Sequence, residues 1–425
     1  MSAAPRSALV AAGALAFDPE RFLAAEAARQ GDPFVLRLPG ASATWVTGVP
    51  EGARAILGAP RDAFTCVSPN PIEPLLGPAS LILVAGDRHA RGRRLLVPAF
   101  AGARVREASG VVHAAALRER ARLWRGAVVD LVALAQALTL DVILEVVLGA
   151  TGARAEALRD DALAWLARFT PPLLLAPFLR RPFGGLGPWA RFRRRWRAFD
   201  ARLDAEIDRH APDAPDVLGL LLAVRDEGGA PLPRDEVKDQ VRTLLVAGHE
   251  TAAIGIARAV HAAVSRPEVG ARVRAELAAG PDALLDLPYL GALCDEALRR
   301  HPVVPVVLRR VSGAFALLGR EVPAGDNVAV ALPLLHAHAA TWGDPEAFRP
   351  ERFLERAFAP HEYAPFGGAH RRCIGAEFAR MEMRVAVGTL LARTRLVPVG
   401  EPEPRTVPRN IVHAPAGGLR VRVES

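Results

Sequence analysis

Residues 366–379, FGGAHRRCIGAEFA, constrain this chain more than any other stretch. They hold Cys373, one of three cysteines in 425 residues. Gly367 and Gly368 free the backbone to turn tightly. Arg371 and Arg372 put positive charge beside the thiol, which favours the thiolate. Past Gly375 the sequence EFARMEMRVAVGTLLAR takes up a helical apolar rhythm, so Cys373 lies in a loop that opens a helix. A helix N-terminus offers free N–H donors and a partial positive charge. The expectation is a sulfur held as an anion in a rigid loop. A lone cysteine is more often a small buried apolar side chain than a ligand, so that reading needs support from elsewhere in the chain.

Composition narrows the class. The chain is 51% hydrophobic, enough for one large core. Its net charge is +8, which could indicate nucleic acid. However, Lys238 is the single lysine among 54 basic residues. The arginine bias is spread over the whole chain and does not interleave with aromatics as base stacking would require. No nucleic-acid partner is expected. Cys66, Cys294 and Cys373 are odd in number and far apart, so no disulfide framework is implied and a reducing cytoplasm fits. The apolar patch near the N-terminus is too short for a transmembrane helix, which needs about 20 residues.

Taken in order, FVLRL (34–38) and TWVTG (44–48) read as a hairpin. Residues 50–58 read as a helix, and the proline-rich 67–80 as a loop with one helical turn near Glu73. Long helical patterns fill 104–149 and 154–169. Residues 170–188 are apolar but broken by Pro and Gly, and 189–210 form a basic amphipathic helix. One long helix runs from 234 to 265 with AGHET in its middle, and more helices fill 268–300. Strand-like pieces then precede the Cys373 loop and close the chain. With no repeat and no linker, the chain reads as a single domain over 1–425, mostly α with a small β region drawn from both ends. The first 15 or so residues are expected to be a flexible lead-in.

Several other residue sets belong with the cysteine. Glu296 and Arg299 lie three apart on one helix face and can pair, and Arg352 follows in RPERF. His89 and Arg93 lie four apart in GDRHARGRR; alone, they would be two residues on a solvated face. Arg309 and Arg310 stand in VVPVVLRRV. In AGHET a hydroxyl inside a helix tends to bond back to a carbonyl and bend it. Ala247 and Gly248 leave space there, and Glu250 with Thr251 could relay protons.

The spacing of Phe366, Gly367, Arg371, Cys373 and Gly375 resembles the haem-ligand loop of the cytochrome P-450 superfamily, F-G-x-G-x-R-x-C-x-G. Four separated motifs stand in the family's order across roughly residues 15–422, and the chain looks like a bacterial, soluble member. One position departs, because Ala369 replaces the second glycine. Ala369 is expected to keep the turn, with Gly368 absorbing any change in angle. The resemblance implies the single-domain P-450 fold, with haem b between the long central helix and the cysteine loop. It implies Cys373 as the metal ligand. Glu296, Arg299 and Arg352 would be a buried triad fixing the loop. His89, Arg93, Arg371 and one of Arg309 or Arg310, with Arg309 favoured, would contact the haem propionates, with Phe366, Gly367, Gly375 and Ala247 beside the cofactor. Glu250 and Thr251 would serve oxygen chemistry.

On the same basis the protein is expected to be a monomeric, cytoplasmic monooxygenase that takes electrons from a ferredoxin or flavodoxin-type donor and its reductase. Its hydrophobic substrate would lie among Ile72, Leu75, Leu76, Leu81, Ile82, Leu174, Val303, Val304 and Ile411. Two alternatives stay open. One is a haem-thiolate peroxygenase or isomerase that needs no electron partner, whose relatives often lack the acid–threonine pair found here. The other is a haem-binding sensor without turnover, for which the chain shows no output domain.

Overall fold

A computed structural model describes residues 4–424 except 69, 171–172, 175–178, 182, 226–227 and 410. Leu175 and Phe178 of the apolar 170–188 stretch therefore lie outside the described residues. The centre is the long helix α11 (Arg234–Ser265), set among α1 (Ala8–Phe17), α2 (Pro19–Gln30), α3 (Pro50–Leu57), α4 (Glu73–Leu76), α5 (Gly86–Leu96), α6 (Ala103–Ala121), α7 (Leu131–Leu148), α8 (Gly152–Leu166), α9 (Pro188–Arg209), α10 (Val217–Ala223), α12 (Pro267–Leu277), α13 (Pro288–Arg300) and α14 (Ala376–Leu391).

Proline and glycine set many of these boundaries. Pro188, Pro267 and Pro288 open their helices, where the missing N–H costs nothing. Gly149 ends α7 in the left-handed conformation. Helix α7 packs along α11, and there a Cβ on Gly248 would meet Ile143 Cδ1 at 3.0 Å. The smallness of Gly248 thus serves this helix contact rather than open space. By length and composition α7 could cross a membrane, but 72% of it is buried inside the protein.

Five strands form the larger sheet in the order β1-β2-β8-β5-β3: β1 (Phe34–Leu36), β2 (Thr44–Thr47), β3 (Phe64–Thr65), β5 (Val306–Val311) and β8 (Asn327–Ala331). β2 and β8 are parallel; the other pairs are antiparallel. β4 (Val128–Asp130), β9 (Leu396–Pro398) and β12 (Arg420–Val423) make a second sheet. β6 (Phe315–Leu317) pairs β7 (Arg320–Val322), and β10 (Thr406–Arg409) pairs β11 (Val412–Pro415). Strand β4 lies within a stretch that reads as continuous helix from periodicity. Its pairing partner β12 is almost 300 residues away, so no local pattern announces it. The expected flexible lead-in is instead helix α1, packed on α2 and β10.

Helix α9 is less free than its basic face suggests. Its Asp200 and Asp204 take Lys238 Nζ at 2.9 and 3.3 Å, and Asp200 also pairs with Arg242. Arg242 pairs in turn with Asp239, whose Oδ2 accepts the Ala79 N–H at 2.8 Å. Gly77 is required here, because it has a φ of +90° and a Cβ would fall 1.9 Å from Asp239 Oδ1. The 77–81 loop is thereby pinned to the first half of α11.

Glu382, in α14, is buried with no cation near it, and burial pushes its carboxyl up to about 8. The ordinary value is 4.5, so the folded chain holds a proton that the unfolded chain has lost. The contribution of Glu382 to stability should be fullest below the unfolded value and fall by about 5 kcal/mol as pH rises through this window. Glu382→Gln should flatten that slope in urea unfolding run from pH 5 to 8.5; an unchanged slope would refute the assignment.

Candidate functional site

The loop before α14 is held by its own backbone. The Cys373 N–H donates to the Phe366 carbonyl at 2.8 Å, and the Arg372 N–H to that of Ala369 at 3.1 Å. Gly367 has a φ of +66°. Ala369 keeps the turn as expected, but it adopts the left-handed region itself, with a φ of +48°. Gly368 does not absorb the change: it is extended, with a φ of −153°. Gly368 is small for another reason, since a Cβ there would approach Leu57 Cβ at 3.1 Å.

Cys373 retains accessible surface although protein surrounds it closely enough to desolvate the thiol. Cys373 lines a small pocket, and desolvation is the largest influence on its thiol. Burial raises the thiol above its ordinary 9.0; the Gly375 N–H, Arg372 and Arg93 act against this without overcoming it. The arginines and the helix end therefore act in the expected direction on the sulfur, against burial; a metal cation bound there would favour the thiolate further.

The scaffold behind the loop is built on Glu296, which has no exposed surface. Arg299 donates to it through Nε at 2.7 Å and Nη2 at 2.8 Å, Arg352 through Nε at 3.3 Å, and the Arg349 N–H at 2.8 Å. The guanidinium groups also collect the carbonyls of His336, Trp342, Asp344, Pro345 and Ala347 at 2.8–3.1 Å. His336 Nε2 then accepts the Ala364 N–H at 3.1 Å, two residues before Phe366. Downstream, Arg380 stacks over the Phe366 ring at 5.1 Å and bonds Asp295, which also receives the Tyr363 hydroxyl. Helix α13, the 336–364 segment and the cysteine loop thus form one bonded unit.

A group of cations borders this loop. Arg371 donates to the Val84 carbonyl at 2.6 Å and to Cys66 Sγ at 3.3 Å; Arg93 donates to the Arg372 carbonyl at 2.5 Å. His89 lies edge-on to His370, with ring centroids 6.4 Å apart. Burial, then Arg371 and Arg93, push His89 down to about 3, so it is a neutral imidazole. Burial and Arg371 lower Arg309 to about 10. Arg310 instead bonds the Ser68 carbonyl at 3.2 Å, so Arg309 is the one that joins the group. Among the described residues, no carboxylate pairs with Arg93, Arg309 or Arg371. Partly buried cations gain from an anionic partner, and among the described residues no carboxylate supplies these with one. A dicarboxylate of the haem type matches that charge and the forked geometry of guanidinium. His370 and Cys66 went unread in the sequence; His370 lay within the motif as a variable position, and Cys66 gave no signal.

On α11, every residue from 237 to 263 is buried except Val246, Ala247, Gly248, Glu250 and Thr251. Of these, Ala247, Glu250 and Thr251 share one helix face, while Gly248 is turned toward Ile143. Thr251 Oγ1 donates back to the Ala247 carbonyl at 2.6 Å. Glu250 Oε1 meets Arg409 Nε at 2.8 Å, a partner the sequence did not reveal. Burial raises the Glu250 carboxyl, with Arg409 opposing it. His249 points elsewhere and bonds Thr139. Of the expected substrate contacts, Leu75, Leu81, Leu174 and Val303 are buried in the main core, as is Leu76, which has no accessible surface; Ile72 packs against that core, while Ile82, Val304 and Ile411 stay accessible.

A family model described as cytochrome P450 matches residues 26–419. The chain is 34% identical to cytochrome P450 135B1 of Mycobacterium tuberculosis and Mycobacterium bovis, over 95% of this chain and 87% of that protein. It is 32% identical to cytochrome P450 135A1 of M. tuberculosis, over 95% and 90%. Among solved structures, the retinoic acid-bound cyanobacterial CYP120A1 is similar, with a TM-score of 0.82 and 25% identity over 95% of this chain and 93% of that one.

Two outcomes follow from the geometry. Glu296→Gln should lower stability by about 3–5 kcal/mol, because it leaves two buried guanidinium groups without an anion; thermal unfolding reads this, and a loss under 1 kcal/mol would contradict it. Ala369→Gly should raise stability by about 1 kcal/mol by relieving the left-handed alanine, whereas Ala369→Val should lower it.

Proposed function

The chain belongs to the cytochrome P450 family and is an oxidoreductase of the monooxygenase type; from that premise we propose that Cys373 is the axial sulfur ligand of haem b and that the protein inserts one atom of dioxygen into a hydrophobic small molecule. The observation that carries this reading is the accessible thiol of Cys373 in a loop bordered by cations that, among the described residues, no carboxylate neutralises. His89, Arg93, Arg309 and Arg371 would hold the propionates by charge-assisted hydrogen bonds. Bound there, haem would supply the activation of dioxygen, favoured by electron donation from a thiolate.

The chain's own residues supply position and protons. The Gly375 N–H bonds the sulfur, which tunes a ligand from outside its first shell. Glu250 holds a proton more readily than an exposed carboxyl, because burial favours its neutral form. The Thr251 hydroxyl, one residue on and bonded back to the Ala247 carbonyl, would deliver protons at the accessible side of α11. This acid–alcohol pair supports a dioxygen-using enzyme over a peroxide-using or isomerising one. Electrons would come from a separate ferredoxin or flavodoxin-type donor with its reductase. A small pocket lined by Arg93, Phe100, Arg372, Cys373, Ile374 and Glu377 carries arginines that would steer an acidic donor. The apolar Ile82, Val304 and Ile411 suit an apolar substrate, as does the similarity to a protein that binds retinoic acid. The monomer would work in the cytoplasm, where its three free cysteines stay reduced.

The reduced carbon-monoxide spectrum of the purified protein tests the ligand. A thiolate-shifted Soret band is expected, and Cys373→Ala should abolish it. A band at the position of ordinary haem proteins in the wild type would overturn the assignment. Substrate-dependent NAD(P)H consumption with a surrogate donor pair separates the monooxygenase from an enzyme that needs no electrons.

A further inference from the structure

Helix α1, Ala8–Phe17, carries no charged residue. One face packs on the protein through Ala11, Ala14 and Leu15. The other face is also apolar: Leu9 is 79% exposed, Val10 52% and Phe17 68%, with exposed Gly13 and Ala16 between them. Positions 9, 13, 16 and 17 recur at helical spacing and form one stripe. A Cβ built on Gly13 meets nothing within 4 Å, which confirms that the stripe looks outward. A helix apolar on all sides is ordinarily buried on all sides, and this one is not.

The charges bordering the stripe are sorted by sign. Asp18 is half-buried and caps α2, accepting the Arg21 N–H at 3.2 Å. Glu20 is directed toward Thr406 and Arg258. Glu26 has no exposed surface and is shared by Arg6 and Arg29. The basic groups face outward instead. Arg21 is exposed, and exposed Arg405 lies over the Phe17 ring at 4.3 Å with no ion pair among the described residues. The stripe therefore has exposed arginines at its rim, while the acids beside it in sequence are half-buried or buried.

We infer that α1 is a membrane-surface contact that lays Leu9, Val10 and Phe17 into the interface of a bilayer rich in anionic lipid. A ten-residue helix is too short to span, which takes about 20 residues, and suits shallow insertion parallel to the surface. The stripe is also too small for a second copy of the chain. A helix of this length is about 15 Å long, whereas a stable dimer buries about 800 Å² on each partner. A lipid interface requires no such matched surface, and an anionic leaflet rewards the arginine rim.

The test is co-sedimentation of the intact haem-loaded protein with phosphatidylcholine vesicles, with or without phosphatidylglycerol. Binding to the anionic vesicles, weakened by salt, is expected. Leu9→Ser combined with Phe17→Ser should cut the bound fraction at least about tenfold, since each apolar side chain removed is worth roughly that factor. Arg405→Gln should weaken binding to anionic vesicles alone. Unchanged circular dichroism and thermal unfolding would show that the variants fold. The inference falls if the wild type stays unbound with both vesicle types, or if the double variant binds as the wild type does. It also falls if ultracentrifugation shows a wild-type dimer that the double variant dissolves while vesicle binding is absent.

Discussion

A single carboxylate, Glu296, fixes the part of the molecule that matters most. Two arginines and a backbone N–H surround it, and those arginines spend their remaining donors on five carbonyls between 336 and 347. An ion pair in a dry interior returns little net stability, because desolvation consumes the Coulomb gain. What it provides here is shape. The segment leading to the cysteine loop has almost no regular structure of its own, and its carbonyls would otherwise have no partners. The guanidinium forks replace the ladder of hydrogen bonds that a helix or strand would have supplied.

That rigidity explains a locally unfavourable choice. Ala369 sits in a backbone region that alanine avoids. The turn survives because both of its flanks are tied, upstream through His336 and Ala364 and downstream through Arg380 and Asp295. Local strain of this kind persists only where the surroundings over-determine the conformation.

Much of this was legible in the residues. The cysteine loop, E-x-x-R with its later arginine, the helix carrying AGHET and the His89–Arg93 pair are short motifs whose spacing survives folding. Other parts were not legible, for identifiable reasons. Arg409 is far from Glu250 in sequence, and only the β10–β11 hairpin brings them together. The division of labour between Arg309 and Arg310 depends on strand alternation, which flips with one residue of register. Gly368 looked like slack in the loop and proved to be a packing contact with Leu57. Helix α1 read only as a short apolar patch in an expected lead-in, and periodicity cannot report which side meets protein.

The buried imidazoles have a wider consequence. His89, His301 and His336 are pushed down to about 3, and His249, His261 and His413 to about 4. Histidine is the side chain that ordinarily changes charge near neutrality, and these six do not. The remaining cations are almost all guanidinium, which holds its proton throughout that range. Those six imidazoles therefore stay neutral in the folded protein near neutral pH, so a drift of internal pH would reach the interior through Glu382, whose carboxyl is pushed up to about 8, rather than through histidine.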